Sequence, residues 1–112
     1  MSKGNIEIVQ GQLEAYNAQD IERFCTFYAE DCVVADLGGA ITQKSRAELR
    51  DRYVKAWAQF PRNKATILNR IAVGSTVVDH EDVERAPGGE RFQIVAIYTL
   101  RDGLIARVDF AR

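Results

Sequence analysis

The chain has 112 residues, enough for one core of ordinary size and too few for two independent ones, so a single domain spanning 1–112 is expected. Apolar residues make up 46% and charged residues 28%, a globular mixture far from that of disordered chains. Fifteen basic and sixteen acidic side chains give a formal charge of −1 with neither sign gathered in a block, which argues against nucleic acid as a partner. The N-terminal MSKGNIEIVQ lacks the apolar core of a secretory signal, and no run approaches the roughly 18 apolar residues of a membrane span. A cytoplasmic location without membrane contact follows as an expectation, and Cys25 and Cys32 are then expected to stay reduced, as small buried hydrophobes.

From Asn5 to Asn17 the apolar residues Ile6, Val9, Leu13 and Tyr16 recur at intervals of three and four, the period of one helix face. Asp20 stands where an N-cap belongs, before a second helix with Ile21, Phe24 and Phe27-Tyr28 on its apolar side. Cys32 to Ala35 reads as a short buried strand, ended by Asp36-Leu37-Gly38-Gly39, and Ala40 to Lys44 as an exposed, mobile loop. Ser45-Arg46-Ala47-Glu48 is a capping box that opens a third helix. Its apolar face is Leu49, Tyr53, Ala56-Trp57 and Phe60, Glu48 and Arg52 lie one turn apart on the solvent side, and Pro61 stops it.

Beyond Pro61 the period changes from helical to alternating. Ala65 to Val73, Thr76 to Arg85, Arg91 to Leu100 and Leu104 to Arg112 read as four antiparallel strands, with turns at Gly74-Ser75, Ala86 to Gly89 and Asp102-Gly103. Helices first and a meander of strands after them predict an α+β domain of order α-α-β-α-β-β-β-β, with the helices on one face of a curved sheet. In the strand from Arg91, Phe92, Ile94, Ala96, Tyr98 and Leu100 take the core face. Val95 and Ile97 remain on the outer face, an apolar centre with polar neighbours that predicts a homodimer through that surface. In the last strand Val108 and Phe110 follow the core face, while Arg107 and Asp109 point outward.

The order of elements, with YNAQDIERFCTFYAEDCVVAD near the start and AIYTLRDGLIARVDF at the end, resembles the nuclear transport factor 2-like superfamily over essentially the whole chain. In particular it is similar to the SnoaL-like and steroid Δ-isomerase-like branch. The resemblance implies a cystatin-like cone, in which a curved, mainly antiparallel sheet wraps three helices around an apolar pocket, and dimers through the outer sheet face. It also implies a range of activities, among them isomerase, cyclase, dehydratase and hydrolase, alongside non-catalytic members. In the steroid isomerases the base is an aspartate at the end of the first strand, and Asp36 stands in the matching place, followed by Leu37 where the family usually has proline. The tyrosine and protonated acid of their oxyanion hole fall near Gln12 and Ala96, so both donors are missing and ketosteroid isomerisation is disfavoured.

Two groups carry the candidate chemistry. Asp36 is either a general base in an apolar pocket or the cap of its own Asp-Leu-Gly-Gly turn. His80, the single histidine, is either a proton shuttle or a structural residue, and the hairpin loop decides: three loop residues, Pro87 to Gly89, place it on the pocket side, whereas two or four turn it outward and bring Glu81 in. Tyr16, Tyr28, Tyr53, Trp57 and Phe60 at helical spacing, with Ala96, Tyr98, Val108 and Phe110 from the sheet, are core residues of which several border a substrate pocket; Arg112 lies near its mouth or frays.

No metal-ligand set, phosphate loop or nucleotide fingerprint occurs, so no cofactor is expected. The expected ligand is a small apolar molecule. The readings that remain are an isomerase or cyclase acting on a carbonyl compound with Asp36 as base and His80 assisting, a His80/Asp36 dehydratase or hydrolase, and a non-catalytic dimeric ligand-binding or interaction domain.

Overall fold

The computed structural model describes residues 4–112. Three helices, α1 (Asn5–Ala18), α2 (Ile21–Thr26) and α3 (Arg46–Gln59), accompany six strands: β1 (Tyr28–Asp36), β2 (Ile41–Gln43), β3 (Lys64–Val73), β4 (Thr76–Glu84), β5 (Arg91–Arg101) and β6 (Leu104–Ala111). The caps form where hydroxyl and carboxylate side chains meet free amides. Asp20 accepts from the Arg23 amide at 3.2 Å, and Ser45 accepts from Glu48 at 3.1 Å. The Glu48 carboxylate reaches back to the amide of Lys44 at 3.0 Å, one residue before the cap. No helix among the described residues is long and apolar enough to cross a membrane.

The strands join in one curved α+β sheet of order β2-β1-β6-β5-β4-β3, in which β1 and β6 run parallel and every other pair antiparallel. The parallel pair corrects the expected bounds of the first strand. Pairing with β6 captures the chain from Tyr28, and the Ile105 amide donates to the Phe27 carbonyl at 2.9 Å, so the second helix ends at Thr26 and Tyr28 belongs to the sheet. The segment expected to be a mobile loop holds β2, a three-residue edge strand. It closes back on β1 through Asp36-Leu37-Gly38-Gly39, where the Asp36 amide donates to Ala40 at 2.9 Å.

Alternation then sorts side chains onto two faces. Val77, Asp79, Glu81 and Val83 of β4 and Ile94, Ala96, Tyr98 and Leu100 of β5 are buried on the inward face, against α1 and the aromatic side of α3. Asp102 and Gly103 both take positive φ, 53° and 77°, the conformation that a two-residue hairpin of matching twist requires. Phe24 is the aromatic centre of the interior. Its ring lies 5.0 Å from those of Tyr28 and Tyr53 and 5.5 Å from Trp57.

Candidate functional site

Between the helices and the inward face of the sheet lies a cavity of about 120 Å³. Its walls are Gln12, Leu13 and Tyr16 of α1, Phe24 of α2, Tyr28 of β1, Tyr53, Ala56 and Trp57 of α3, Glu81 and Val83 of β4, and Ile94 and Tyr98 of β5. Asn63, Phe92 and Phe110 close the remainder, and Arg52, Arg85 and Arg112 also line it.

The interior polar groups form a short relay. The Tyr28 hydroxyl donates to Gln12 Oε1 at 2.9 Å, and Gln12 Nε2 donates to the Tyr98 hydroxyl at 3.0 Å. Gln12 is 3% exposed, so its amide is held in one orientation by two buried tyrosines. Since Tyr98 accepts from Gln12, its own proton is free to be donated, and the Glu81 carboxyl takes it. On the other side of the cavity Asn63 Nδ2 donates to the Tyr16 hydroxyl at 2.6 Å, which leaves the Tyr16 proton free in the same way. Burial raises the pKa of Tyr16, Tyr28, Tyr53 and Tyr98 above the ordinary phenol value, so all four keep their protons. Trp57 completes the donors: its indole N–H is buried and has no partner.

The single acid of the wall is Glu81. Burial is the main cause that lifts its carboxyl to about 7, and repulsion from Asp79 adds to it, while Arg70 and the Tyr98 hydroxyl pull the other way. Asp79 is fully buried behind the cavity, in a bidentate pair with Arg70: Nε at 2.6 Å and Nη2 at 2.9 Å. Arg70 also donates to Gln10 Oε1 at 2.8 Å. The acid that repels Glu81 is itself held by a cation.

The mouth is positive. Arg85 lies over the rings of Phe60 and Phe92, 4.5 and 4.7 Å from their centroids, and donates to Asn63 Oδ1 at 3.1 Å. Arg52 stands 5.4 Å from the centroid of Tyr53 and 5.5 Å from that of Phe110, and donates to Gln43 Oε1 at 2.9 Å.

Asp36 and His80 do not meet. The hairpin loop is four residues, Ala86 to Gly89, because Glu84 pairs with Arg91 and the Arg85 amide donates to Glu90 at 2.9 Å. That length puts Asp79 opposite Ala96 and His80 opposite Val95, so the imidazole takes the outer face, held between Asn69 at 3.0 Å and Gln93 at 2.7 Å. Glu81 takes the place in the cavity that a three-residue loop would have given His80. Asp36 ends β1 in the row of Phe110, is exposed, and borders a shallow depression with Leu37, Ala111 and Arg112, outside the cavity. The shared Asp36/His80 site is therefore corrected by register.

Of the expected pocket residues, Tyr16, Tyr28, Tyr53, Trp57, Tyr98 and Phe110 line the cavity. Ala96 and Val108 are buried in the core around it, and Phe60 lies under Arg85. Gln12, Glu81, Arg52, Arg85 and Asn63 were not among the expected site residues. Of these, Glu81 carries a signal in the dependence of strand register on loop length, and Gln12 stands at the position that the resemblance matches to the oxyanion-hole tyrosine. No group of three His, Cys, Asp or Glu side chains that would hold a metal ion occurs among the described residues.

Helices packed on the concave side of a curved six-stranded sheet, closing an aromatic cavity, define a domain of cystatin-like, nuclear transport factor 2-like fold. The chain belongs to the SnoaL-like domain family, whose model matches residues 9–108. It is similar over 98% of its length to 99% of an uncharacterised cystatin-fold protein from Novosphingobium aromaticivorans, at 29% identity and a TM-score of 0.92. A candidate polyketide cyclase from Sinorhizobium meliloti shares 23% identity with a TM-score of 0.81, over 97% of this chain and 100% of that one. A candidate ketosteroid isomerase from Kribbella flavida shares 19% with a TM-score of 0.82, over 97% of this chain and 77% of that one. These last two likenesses establish fold alone. No curated protein matches the chain.

Proposed function

We propose that the protein is a cofactor-independent proton-transfer enzyme of the isomerase or cyclase type, acting on a small carbonyl compound with Glu81 as its acid–base group. The observation that carries this reading is the carboxyl of Glu81, buried in the cavity wall and lifted to about 7, where it can both take and return a proton at neutral pH. In its ionised form Glu81 removes a proton from the carbon beside the substrate carbonyl, and the electron pair moves onto the carbonyl oxygen. The resulting enolate needs hydrogen-bond donors, and Tyr53 and Trp57 of the cavity wall carry a hydroxyl and an indole N–H for that role. Glu81, now a carboxylic acid, returns the proton to another carbon in an isomerisation. In a cyclisation the enolate carbon instead attacks a second carbonyl, and Glu81 protonates the new alkoxide.

Size limits the substrate. An engineered cavity of about 150 Å³ in another protein holds a benzene molecule, so about 120 Å³ suits one ring or a short chain of similar bulk. Fused rings would need the mouth to open. Assembly as a homodimer through the outer sheet face belongs to the same proposal, which leaves the cavity mouths of both copies free.

The test is α-hydrogen exchange of cyclohexanone and other small enolisable ketones in D2O, followed by NMR. Exchange should rise with pH to a plateau, with its half-point near the pKa of Glu81, and Glu81→Gln should lose about 100-fold or more of the rate. Full exchange by Glu81→Gln would overturn the assignment. A dehydratase pairing of Asp36 with His80 gains no support, since His80 takes the outer face of the sheet and Asp36 lies at the end of β1 outside the cavity.

A further inference from the structure

The charged residues of the cavity are unevenly matched. Three guanidinium groups line it, those of Arg52, Arg85 and Arg112, against the one carboxyl of Glu81. Of the eight arginines outside the cavity, six have acids, Arg23 with Glu14, Arg50 with Glu22, Arg70 with Asp79, Arg91 with Asp82, Arg101 with Asp31 and Arg107 with Asp109, and only Arg46 and Arg62 have none among the described residues. Arg52 and Arg85 have no carboxylate within ion-pair distance among the described residues. Their partners are neutral polar groups and aromatic faces: Gln43 and the Thr42 hydroxyl with Tyr53 and Phe110 for Arg52, Asn63 with Phe60 and Phe92 for Arg85. Contacts of this kind hold a guanidinium in place without neutralising it, which leaves N–H groups for a planar anion.

A second observation is independent of the arginines. The Trp57 indole N–H belongs to a cavity-lining residue 7% exposed, and it is the one buried side-chain donor of the described residues left without an acceptor. A donor in that state costs about 1–3 kcal/mol of desolvation unless something fills it. The protein supplies no acceptor, and a ligand oxygen would provide one once a shift of the cavity wall uncovers this N–H.

We infer that the cavity takes a small carboxylate, a ligand of one ring or comparable bulk whose anionic group is held by the guanidinium rim, with Arg52 and Arg85 as the principal contacts and Trp57 as an inner donor. The inference deepens the proton-transfer reading, because it rests on this cavity being the substrate site, and it narrows the substrate to a small oxo acid. The ring or chain lies among Phe24, Tyr53 and Trp57, and the carboxylate stays at the wet end. Arg112 reinforces the rim, its guanidinium 5.5 Å from the centroid of the Phe92 ring that Arg85 also covers.

Trp57 is the sole tryptophan of the chain, so its fluorescence reports on this cavity alone. The test titrates the unmodified protein with benzoate, cyclohexanecarboxylate and the neutral isostere benzamide, with calorimetry as the second readout. Benzoate or cyclohexanecarboxylate should change the Trp57 emission saturably, and benzamide should bind about tenfold or more weakly, the value of one charge-assisted hydrogen bond. Arg85→Gln and Arg52→Gln should each close most of that gap. Equal affinity for benzoate and benzamide would overturn the inference, as would no saturable response to either carboxylate in the millimolar range. The comparison of ligands on the unmodified chain needs no variant to fold. The two readings also fail separately. Carboxylate binding without α-hydrogen exchange on any oxo acid or ketone removes the proton-transfer reading and keeps this one, whereas equal exchange on neutral ketones and on their oxo-acid counterparts does the reverse.

Discussion

Asp79 and Glu81 sit two residues apart on the inward face of β4 and differ in their partners. Asp79 has the bidentate guanidinium of Arg70, and Glu81 has a hydroxyl. The consequence for Glu81 is a raised pKa, and its sign can be followed into stability. Between its ordinary value of 4.5 and about 7, the folded protein keeps a proton that the unfolded chain has released, so stability falls as pH rises through that window and the penalty is complete above it. The magnitude is of the order of 3 kcal/mol. Glu81→Gln should therefore be more stable than the unmodified protein at about pH 8 and nearly equal to it at about pH 4.5, in urea unfolding at the two pH values. A difference independent of pH would place the effect in packing, away from ionisation.

Arg70 tests the other half of the pair. Arg70→Met would leave the Asp79 carboxyl fully buried without its cation, a loss of about 3–5 kcal/mol by analogy with broken buried pairs. It would also remove a charge that holds the Glu81 carboxyl down, so the pH midpoint of exchange should move upward. Replacing Asp79 by Leu in the same protein should restore most of the stability. If Arg70→Met alone unfolded no more easily than the unmodified chain, the pair would be structurally idle.

At the scale of elements, α1 owes its position to a residue that helix propensity disfavours. Gly11 lies mid-helix, and a Cβ built there would stand 2.6 Å from two ring carbons of Phe27. The glycine thus lets the ring lie against the helix backbone, which fixes the corner where α2 passes into β1. Gly11→Ala should gain up to about 1 kcal/mol from the unfolded chain and lose about 1–3 kcal/mol to overpacking, for a net loss in thermal unfolding. Combining it with Phe27→Leu should recover part of that loss. A stabilising Gly11→Ala would mean that the ring moves aside freely.

The same scale separates what could be read from residues from what could not. Periods of three and four, the Ser45 and Asp20 caps and Pro61 are local signals, and α1, α3 and the strand meander follow them. The three residues of β2 are too few to carry an alternating pattern, and only the neighbouring β1 makes them a strand. Arg52 reads as the partner of Glu48 on a solvent face, yet the curved sheet brings Phe110 up to it and turns it into part of the rim. Strand register was legible only as a condition, because one loop residue more or less exchanges His80 for Glu81, and the difference rests on where Glu84 and Arg91 pair. The candidate site depends on that one register, which the pairing of Glu84 with Arg91 sets.

At the scale of the whole molecule, the face of the sheet opposite the helices carries a row that crosses three strands: Ile71 of β3 pairs with Val78 of β4, and Val78 with Ile97 of β5. The row ends on Asp109 of β6, which pairs with Arg107 at 3.0 Å. Val73, 75% exposed, and Ile71, 63% exposed, extend the apolar area toward the β3 edge, and Val95 adjoins it beside His80. A monomer carries single apolar residues on its surface at little cost, but a continuous strip with a charged border has the composition of an interface. A second copy laid across this face would bury the strip and leave both cavity mouths open, since the cavity lies on the other side of the sheet. Ile97→Arg places an unpaired charge at the centre of the strip while touching no residue of the cavity wall. Sedimentation velocity should show a dimer for the unmodified chain at micromolar concentration and a monomer for the variant, with Trp57 emission the same in both. A monomer at every concentration of the unmodified chain would remove the dimer, and a variant that remained dimeric would move the interface to another face.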